Sequence, residues 1–129
     1  MDDYDSLVKL GQPYMIDKLR FSDDRARGAL ERVTSDASCY CMAEFEEQQM
    51  VGAVVMQCHH NTFYEKQHAS LVLWLGKIDL LLSAVNWAIE RPVVRCVSIL
   101  FEQGARPGAY RLLERQGFEN SFGHLIRWK

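Results

Sequence analysis

The chain has 129 residues, 48% of them apolar, and a formal net charge of −2. This length and apolar content allow one hydrophobic core, so we expect a single domain over residues 1–129. The 15 Lys and Arg residues are scattered along the sequence. This argues against a surface for nucleic acid or anionic membranes, because those ligands need clustered basic side chains.

The N-terminal residues and the cysteines indicate a cytoplasmic protein. Residues 1–5 are mostly acidic, whereas a signal peptide begins with basic residues followed by an apolar stretch. The apolar run at 69–75 is too short to cross a bilayer. All four cysteines fall in predicted strands, where a reduced thiol packs as a small apolar group: Cys39, Cys41, Cys58 and Cys96.

Two helices are predicted in the first 37 residues. Gly11 and Pro13 interrupt the helical spacing of the first, so we expect a short helix, a kink and one or two further turns ending near Leu19. Ser22 is placed to cap the second helix. The buried stripe predicted for that helix consists of Ala26, Ala29, Leu30 and Val33.

The next residues predict an antiparallel hairpin and then a buried strand. An alternating pattern over 38–45 and an apolar run over 50–58 flank a polar turn, and Gly52 marks a bulge or a close approach of two backbones. A polar loop over 59–67 follows. The almost continuous apolar run after it, 68–75, is typical of a strand buried on both faces.

Gly76 connects this strand to a helix that extends to Arg91. Such a junction is a common place to bind a phosphate, because the first helical turn has unpaired N–H groups and a positive dipole end. Lys77 would favour an anion and Asp79 would repel it, so a plain strand-to-helix turn is the alternative. The apolar stripe predicted for the helix consists of Ile78, Leu81, Leu82, Val85, Ala88 and Ile89.

The remaining residues predict a strand over 93–101, a helix over 107–116 and a closing strand over 122–129. Gly117 is placed to end the last helix as a left-handed cap, with Phe118 folding back onto it. A hairpin that continues into a strand–helix–strand unit predicts an α/β fold (mixed α+β). Its mixed sheet would have five or six strands with helices on both faces.

This order of elements, with the ending Tyr110-Arg-Leu-Leu-Glu-Arg-Gln-Gly-Phe118, resembles the GNAT superfamily of acetyl-CoA-dependent N-acetyltransferases. The segments Leu81–Ala88 and Leu113–Phe118 are most similar to the short, degenerate GNAT-like proteins of tailed bacteriophages. The resemblance implies a GNAT-like, mostly antiparallel sheet and acetyl-CoA as the cofactor of an active protein. It also implies a location in the host cytoplasm or in the virion.

The cofactor motif departs from the family's pattern. Members carry Arg or Gln, two spacers, Gly, one spacer, and Gly or Ala at the start of the central helix, where the backbone wraps the pyrophosphate. Leu73, Gly76 and Ile78 fall on these positions, so only the glycine matches, and the isoleucine side chain would block close contact. If acetyl-CoA binds, the resemblance implies that the residues in contact with it are Trp74, Leu75, Gly76, Lys77 and Ile78.

The catalytic positions differ as well. The family's proton-donating tyrosine falls on Leu113, and Tyr110, one turn earlier, is the candidate substitute. The family's asparagine in this helix falls on Arg106. Glu44 shares a predicted strand face with Tyr40, near where a substrate amine would enter in the family. Glu44 is therefore the candidate base, and a solvated sheet residue is the alternative.

No metal site is predicted. Cys39 and Cys41 are two residues apart on a strand, which is not the spacing of a zinc knuckle, and neither Cys58 nor His60 completes a motif.

Two hypotheses of different class follow. The first is a catalytically silent acetyltransferase-fold protein that acts as a protein-binding or structural module, in a virion or against a host protein. The second is an N-acetyltransferase with a shortened cofactor site, acting on a small amine or a protein amino group. An open V-shaped cleft beside the central strand would favour the second, and a cleft filled by Trp74, Ile78 or Leu113 the first.

We also expect a protein partner or a homo-oligomer. The family's first strand has no counterpart in this sequence, which would leave a sheet edge open to another chain.

Overall fold

The computed structural model describes residues 2–14, 22–60, 65–100, 107–121 and 124–128. The helices are α1 (Asp2–Gly11), α2 (Asp23–Ser35), α3 (Ile78–Glu90) and α4 (Pro107–Arg115). The strands are β1 (Cys39–Glu46), β2 (Gln49–His59), β3 (Gln67–Leu75), β4 (Val94–Leu100), β5 (Glu119–Ser121) and β6 (His124–Trp128).

The six strands form one mixed sheet in the order β1-β2-β3-β4-β6-β5. The β3–β4 pair is parallel, and the other pairs of this order are antiparallel. This confirms the predicted mixed, mostly antiparallel sheet. The β1–β2 hairpin turns at Glu47 and Gln48, both of which have positive φ, as a two-residue hairpin turn requires.

The two N-terminal helices follow the local signals in the sequence. α1 ends at Gly11 and continues as a short 3-10 turn, Gln12–Tyr14. This agrees with the predicted kink, while the further turns expected up to Leu19 lie outside the described residues. At the start of α2 the Arg25 N–H donates to the Ser22 hydroxyl oxygen at 3.4 Å, so the predicted cap is confirmed.

The end of α4 forms the predicted cap. Gly117 has a φ of +95°. Its N–H donates to the Glu114 carbonyl at 3.0 Å, and the Phe118 N–H donates to the Leu113 carbonyl at 3.1 Å, which is the Schellman pattern. The expected closing strand is β6, and the short β5 between the cap and β6 was not predicted.

The main core lies on one face of the sheet, here called the α3 face. Side chains of β2, β3, β4 and β6 pack there against α3 and against Leu113 of α4. The buried residues of α3 are Leu80, Leu81, Ala84, Val85 and Ala88, so the predicted stripe is rotated slightly, with Ile78, Leu82 and Ile89 at its margins.

The opposite face, here called the α1/α2 face, is covered by the two N-terminal helices. Tyr4 of α1 is buried, and its hydroxyl donates to the Asp23 carboxylate at 2.8 Å, which joins α1 to α2. Helices therefore lie on both faces, as predicted. None of the helices within the described residues is long and apolar enough to span a bilayer.

Candidate functional site

The described pairing of β3 with β4 ends before β3 reaches α3. The two strands pair from Gln67 and Val94 to Ser70 and Ser98, and residues 71–75 of β3 have no β4 partner in the described part of the chain. On the β2 side, Leu71 and Leu73 pair with two adjacent residues, Met56 and Val55. Val72 between them has no partner in this register and is therefore the extra residue of a bulge. This end of β3 is therefore without described β4 pairing, which is one requirement of the V-shaped cleft that would favour a cofactor.

Gly76 is needed for packing within the chain. Its φ is +100°, and a Cβ at this position would lie 2.7 Å from the Cα of Gly52. A Cβ on Gly52 would in turn lie 2.6 Å from Leu80 Cδ1. The two glycines let β2 and the β3–α3 turn touch backbone to backbone, which confirms the close approach predicted at Gly52.

The turn between β3 and α3 is short and is stabilised by a hydrogen bond between its own residues. The Trp74 indole N–H donates to the Lys77 carbonyl at 2.9 Å, and Lys77 is the N-cap residue, without a side-chain cap. Trp74 and Ile78 pack against the core of the α3 face. Leu75 is buried on the other face, where it lines a cavity beneath α1 and α2. The five predicted cofactor residues therefore do not form one surface.

The charges at this turn are mainly negative. Lys77 Nζ lies 3.5 Å from Glu44 Oε1 and 3.8 Å from Glu46 Oε1, both on β1. Asp79 lies in the first turn of α3, where a carboxylate stabilises the helix dipole. The structure thus brings the candidate base Glu44 next to the candidate cofactor lysine, an ion pair that the sequence pattern does not predict.

The candidate acid belongs to α4. Tyr110 is half-buried and packs against the core of the α3 face. Leu113, at the family's tyrosine position, is fully buried in that core. Arg106 lies outside the described residues.

The cysteines show no sign of a nucleophile. All four lie in strands without disulfide bonds, and burial raises the pKa of each thiol, which favours the unreactive protonated form. Within the described ranges, no group of three or more His, Cys, Asp or Glu side chains is placed to hold a metal ion.

A polar cluster on β2 and β3 was not predicted. His59 Nε2 lies 2.6 Å from Ser70 Oγ, and the His59 and His68 rings stack with centroids 4.8 Å apart. The sequence pattern assigned His59 to a loop, but β2 extends through it and pairs it with His68. Because Cys58 and Ala69 lie in the core of the α3 face, alternation puts this cluster on the α1/α2 face.

No protein-family model matches the sequence, and no curated protein matches it. Solved structures do resemble it. One is the PaiA N-acetyltransferase from Thermoplasma acidophilum in complex with coenzyme A, with 13% identity, a TM-score of 0.67, and coverage of 99% of this chain and 94% of that chain. Another is an acetyltransferase of the GNAT family from Streptococcus pneumoniae, with 15% identity, a TM-score of 0.68, and coverage of 97% and 90%.

A third is a chain of the NatC complex bound to Gag peptide and CoA, with 13% identity, a TM-score of 0.72, and coverage of 98% and 90%. At these identities the likeness shows the fold alone. The chain has the fold of GNAT acetyltransferases.

Proposed function

We propose that this chain is a catalytically silent domain with the GNAT acetyltransferase fold, acting as a protein-binding or structural module. The observation that carries the proposal is the ion-paired turn between β3 and α3. Lys77, the cation that a pyrophosphate would use there, already contacts Glu44 and Glu46. The backbone of Gly76 is packed against Gly52.

The balance of charge supports this proposal. A helix N-terminus contributes roughly half a positive charge, and Lys77 adds one. Glu44, Glu46 and Asp79 oppose them with three carboxylates. Two unit charges 4 Å apart interact by about 1 kcal/mol in water and about 4 kcal/mol at an effective dielectric constant of 20. A pyrophosphate at this turn would therefore meet net repulsion.

The outer edge of β1 supports binding to another protein. β1 ends the strand order and pairs with β2 alone among the described strands. Met42 and Phe45 on β1 are 46% and 48% exposed. A strand edge flanked by exposed apolar side chains can accept a strand from another chain. The proposed partner is a second copy or, following the phage resemblance, a host or virion protein.

Calorimetric titration of the whole protein with acetyl-CoA and with CoA tests the silent-module proposal. We expect no heat and no thermal stabilisation up to millimolar ligand. Micromolar binding by the unmodified protein would contradict the proposal.

Variants of the turn show what prevents binding. Ile78→Gly removes the side chain at the family's small position, and the pair Glu44→Gln and Glu46→Gln removes the charges next to Lys77. Glu90→Gln, at the exposed far end of α3, is the matched control. Affinity gained in the first two variants and absent from the control would indicate a cleft that this turn closes.

A second candidate function is N-acetyl transfer, which the early end of the β3–β4 pairing favours. There, Glu44 would take a proton from the ammonium form of the substrate, and the neutral amine nitrogen would then attack the thioester carbon. Backbone N–H groups would stabilise the oxyanion. As the carbon–sulfur bond breaks, Tyr110 would protonate the departing thiolate of CoA, and the extra proton on the new amide nitrogen would pass to the Tyr110 phenolate.

An acetyl-transfer assay with amines and peptides tests the second candidate. Turnover lowered by both Tyr110→Phe and Glu44→Gln would support these roles. Turnover that neither substitution changes would exclude them.

A further inference from the structure

A cavity of about 370 Å³ lies between the sheet and the two N-terminal helices, on the α1/α2 face. It is here called the helix–sheet cavity. Its walls include Leu7 and Val8 of α1, Ala29 and Leu30 of α2, and Val72 and Leu73 of β3. It is separate from the β3–α3 turn, and the inference from it does not depend on whether acetyl-CoA binds.

The lining of the cavity is apolar. Among the described residues that line it, only Tyr4 has a polar side-chain group, and its hydroxyl already donates to Asp23. An ordered water in a cavity needs roughly two to four polar partners. Since the described lining side chains offer only this hydroxyl, the cavity suits an occupant that makes no hydrogen bonds to them.

The size of the cavity exceeds that of a packing defect. Protein interiors hold few voids larger than a water molecule, and an apolar cavity of about 150 Å³ binds benzene. At about 370 Å³, the helix–sheet cavity falls within the usual range of ligand pockets.

The small residues of the helices leave this space open. The predicted buried stripe of α2 includes Ala26 and Ala29, and no residue of α2 is fully buried. Gly11 of α1 also lines the cavity. These three positions contribute little side-chain volume to the walls of the cavity.

The most exposed of the described lining residues lies at the bulge of β3. Val72, the extra residue of the bulge, lines the cavity and is 55% exposed. It lies two residues after Ser70, the last β3 residue paired with β4 in the described part of the chain. A ligand can therefore place an apolar chain inside and keep a polar end outside.

From this lining, volume and opening, we infer that the helix–sheet cavity binds a hydrocarbon chain, the alkyl part of a small amphiphile whose polar end lies near Val72. Apart from Tyr4 of α1, the described side chains that line the cavity are aliphatic, which matches an alkyl chain in polarity.

Titration of the whole protein with 1-octanol tests this inference, because octanol is uncharged and needs no ionic partner. We expect saturable binding with one site per chain, accompanied by thermal stabilisation. Absence of saturable binding to the folded protein would overturn the inference.

Ala29→Phe fills the cavity from α2. If the cavity binds octanol, this variant weakens binding by about ten-fold or more and melts at a higher temperature, because an empty space has been filled. Phe45→Ala is the control, since it removes an exposed apolar side chain outside the cavity, and octanol affinity should not change. Octanol binding unchanged by Ala29→Phe, or lost in Phe45→Ala, would overturn the inference.

A second measurement does not rely on a variant folding. A spin-labelled alkyl chain bound in the cavity should broaden the methyl resonances of Leu30, Val72 and Leu73. The methyls of Val97 and Leu125, buried on the α3 face and farther from the cavity, should broaden less. Broadening of both sets alike, or of neither, would contradict binding in this cavity.

Discussion

The two faces of the sheet differ in how closely they are packed. On the α3 face, large side chains such as Met56, Leu81 and Ile99 are fully buried in one core. On the α1/α2 face, α2 has no fully buried residue and a cavity remains beneath it. α3 buries two leucines, a valine and two alanines, whereas the stripe of α2 has one leucine, one valine and two alanines, none of them fully buried. A helical stripe therefore predicts which face of a helix points inward, but it does not predict how tightly that face packs.

The largest expected effect comes from truncating one leucine on each face. Leu81→Ala leaves a void in a filled core and should lower the free energy of unfolding by about 2–5 kcal/mol. Leu30→Ala enlarges an existing cavity and should cost about 1 kcal/mol, because Leu30 is only half-buried. Urea denaturation of both variants measures the difference, and equal losses would show that the two faces are packed alike in solution.

The next effect concerns the backbone contact between Gly76, just before α3, and Gly52 of β2. Gly76→Ala adds a Cβ 2.7 Å from Gly52 Cα at a positive φ and should cost about 2–4 kcal/mol. Gly108→Ala on α4 is the control: its Cβ would meet nothing within 4 Å, so a gain of up to about 1 kcal/mol is expected. If thermal or urea unfolding shows Gly76→Ala to be as stable as the parent, the close contact of the two backbones is not present in solution.

The smallest effect concerns the histidines on the α1/α2 face. Partial burial, and then His59, lowers the pKa of His68. A histidine whose pKa is lower in the folded state than in the unfolded state favours folding while it is neutral. Its contribution to stability is complete above the unfolded pKa of about 6.5 and is lost as the pH falls through the folded pKa. The free energy of unfolding should therefore decrease from roughly pH 7.5 towards pH 5.

Two histidine variants identify the group responsible for this pH dependence. His68→Gln should flatten the profile, whereas His60→Gln, in the exposed loop, should leave its slope unchanged. The profile comes from urea denaturation at a series of pH values. An identical slope in His68→Gln would assign the pH dependence to another group.

The local features of this protein were predictable, because each depends on residues a few positions apart. The Ser22 cap and the Schellman motif at Gly117 and Phe118 depend on one helical turn. The bounds of the strands were harder to predict from the sequence. β5 has three residues, too few to show a pattern, and β2 extends to His59 because it pairs there with β3.

The residues of the candidate site were proposed from the sequence, whereas their contacts were not. Gly76, Lys77 and Glu44 were each identified from the sequence. Their contacts depend on packing: Gly76 meets Gly52, and Lys77 meets Glu44. Leu75 points away from the site, because successive residues of a strand face opposite sides of the sheet.

The sequence by itself determined the order of the helices and of the strands other than β5, the caps at Ser22 and Gly117 and the mixed sheet, since hydrophobic periodicity and capping residues act over short distances. Only the tertiary structure decided the backbone contact at Gly52 and Gly76, the pairing of Lys77 with β1, the His59–Ser70 contact and the helix–sheet cavity. Each of these depends on strand register or on the distance between packed elements. Those quantities are set by the sum of side-chain volumes across the whole fold and by no single stretch of the chain.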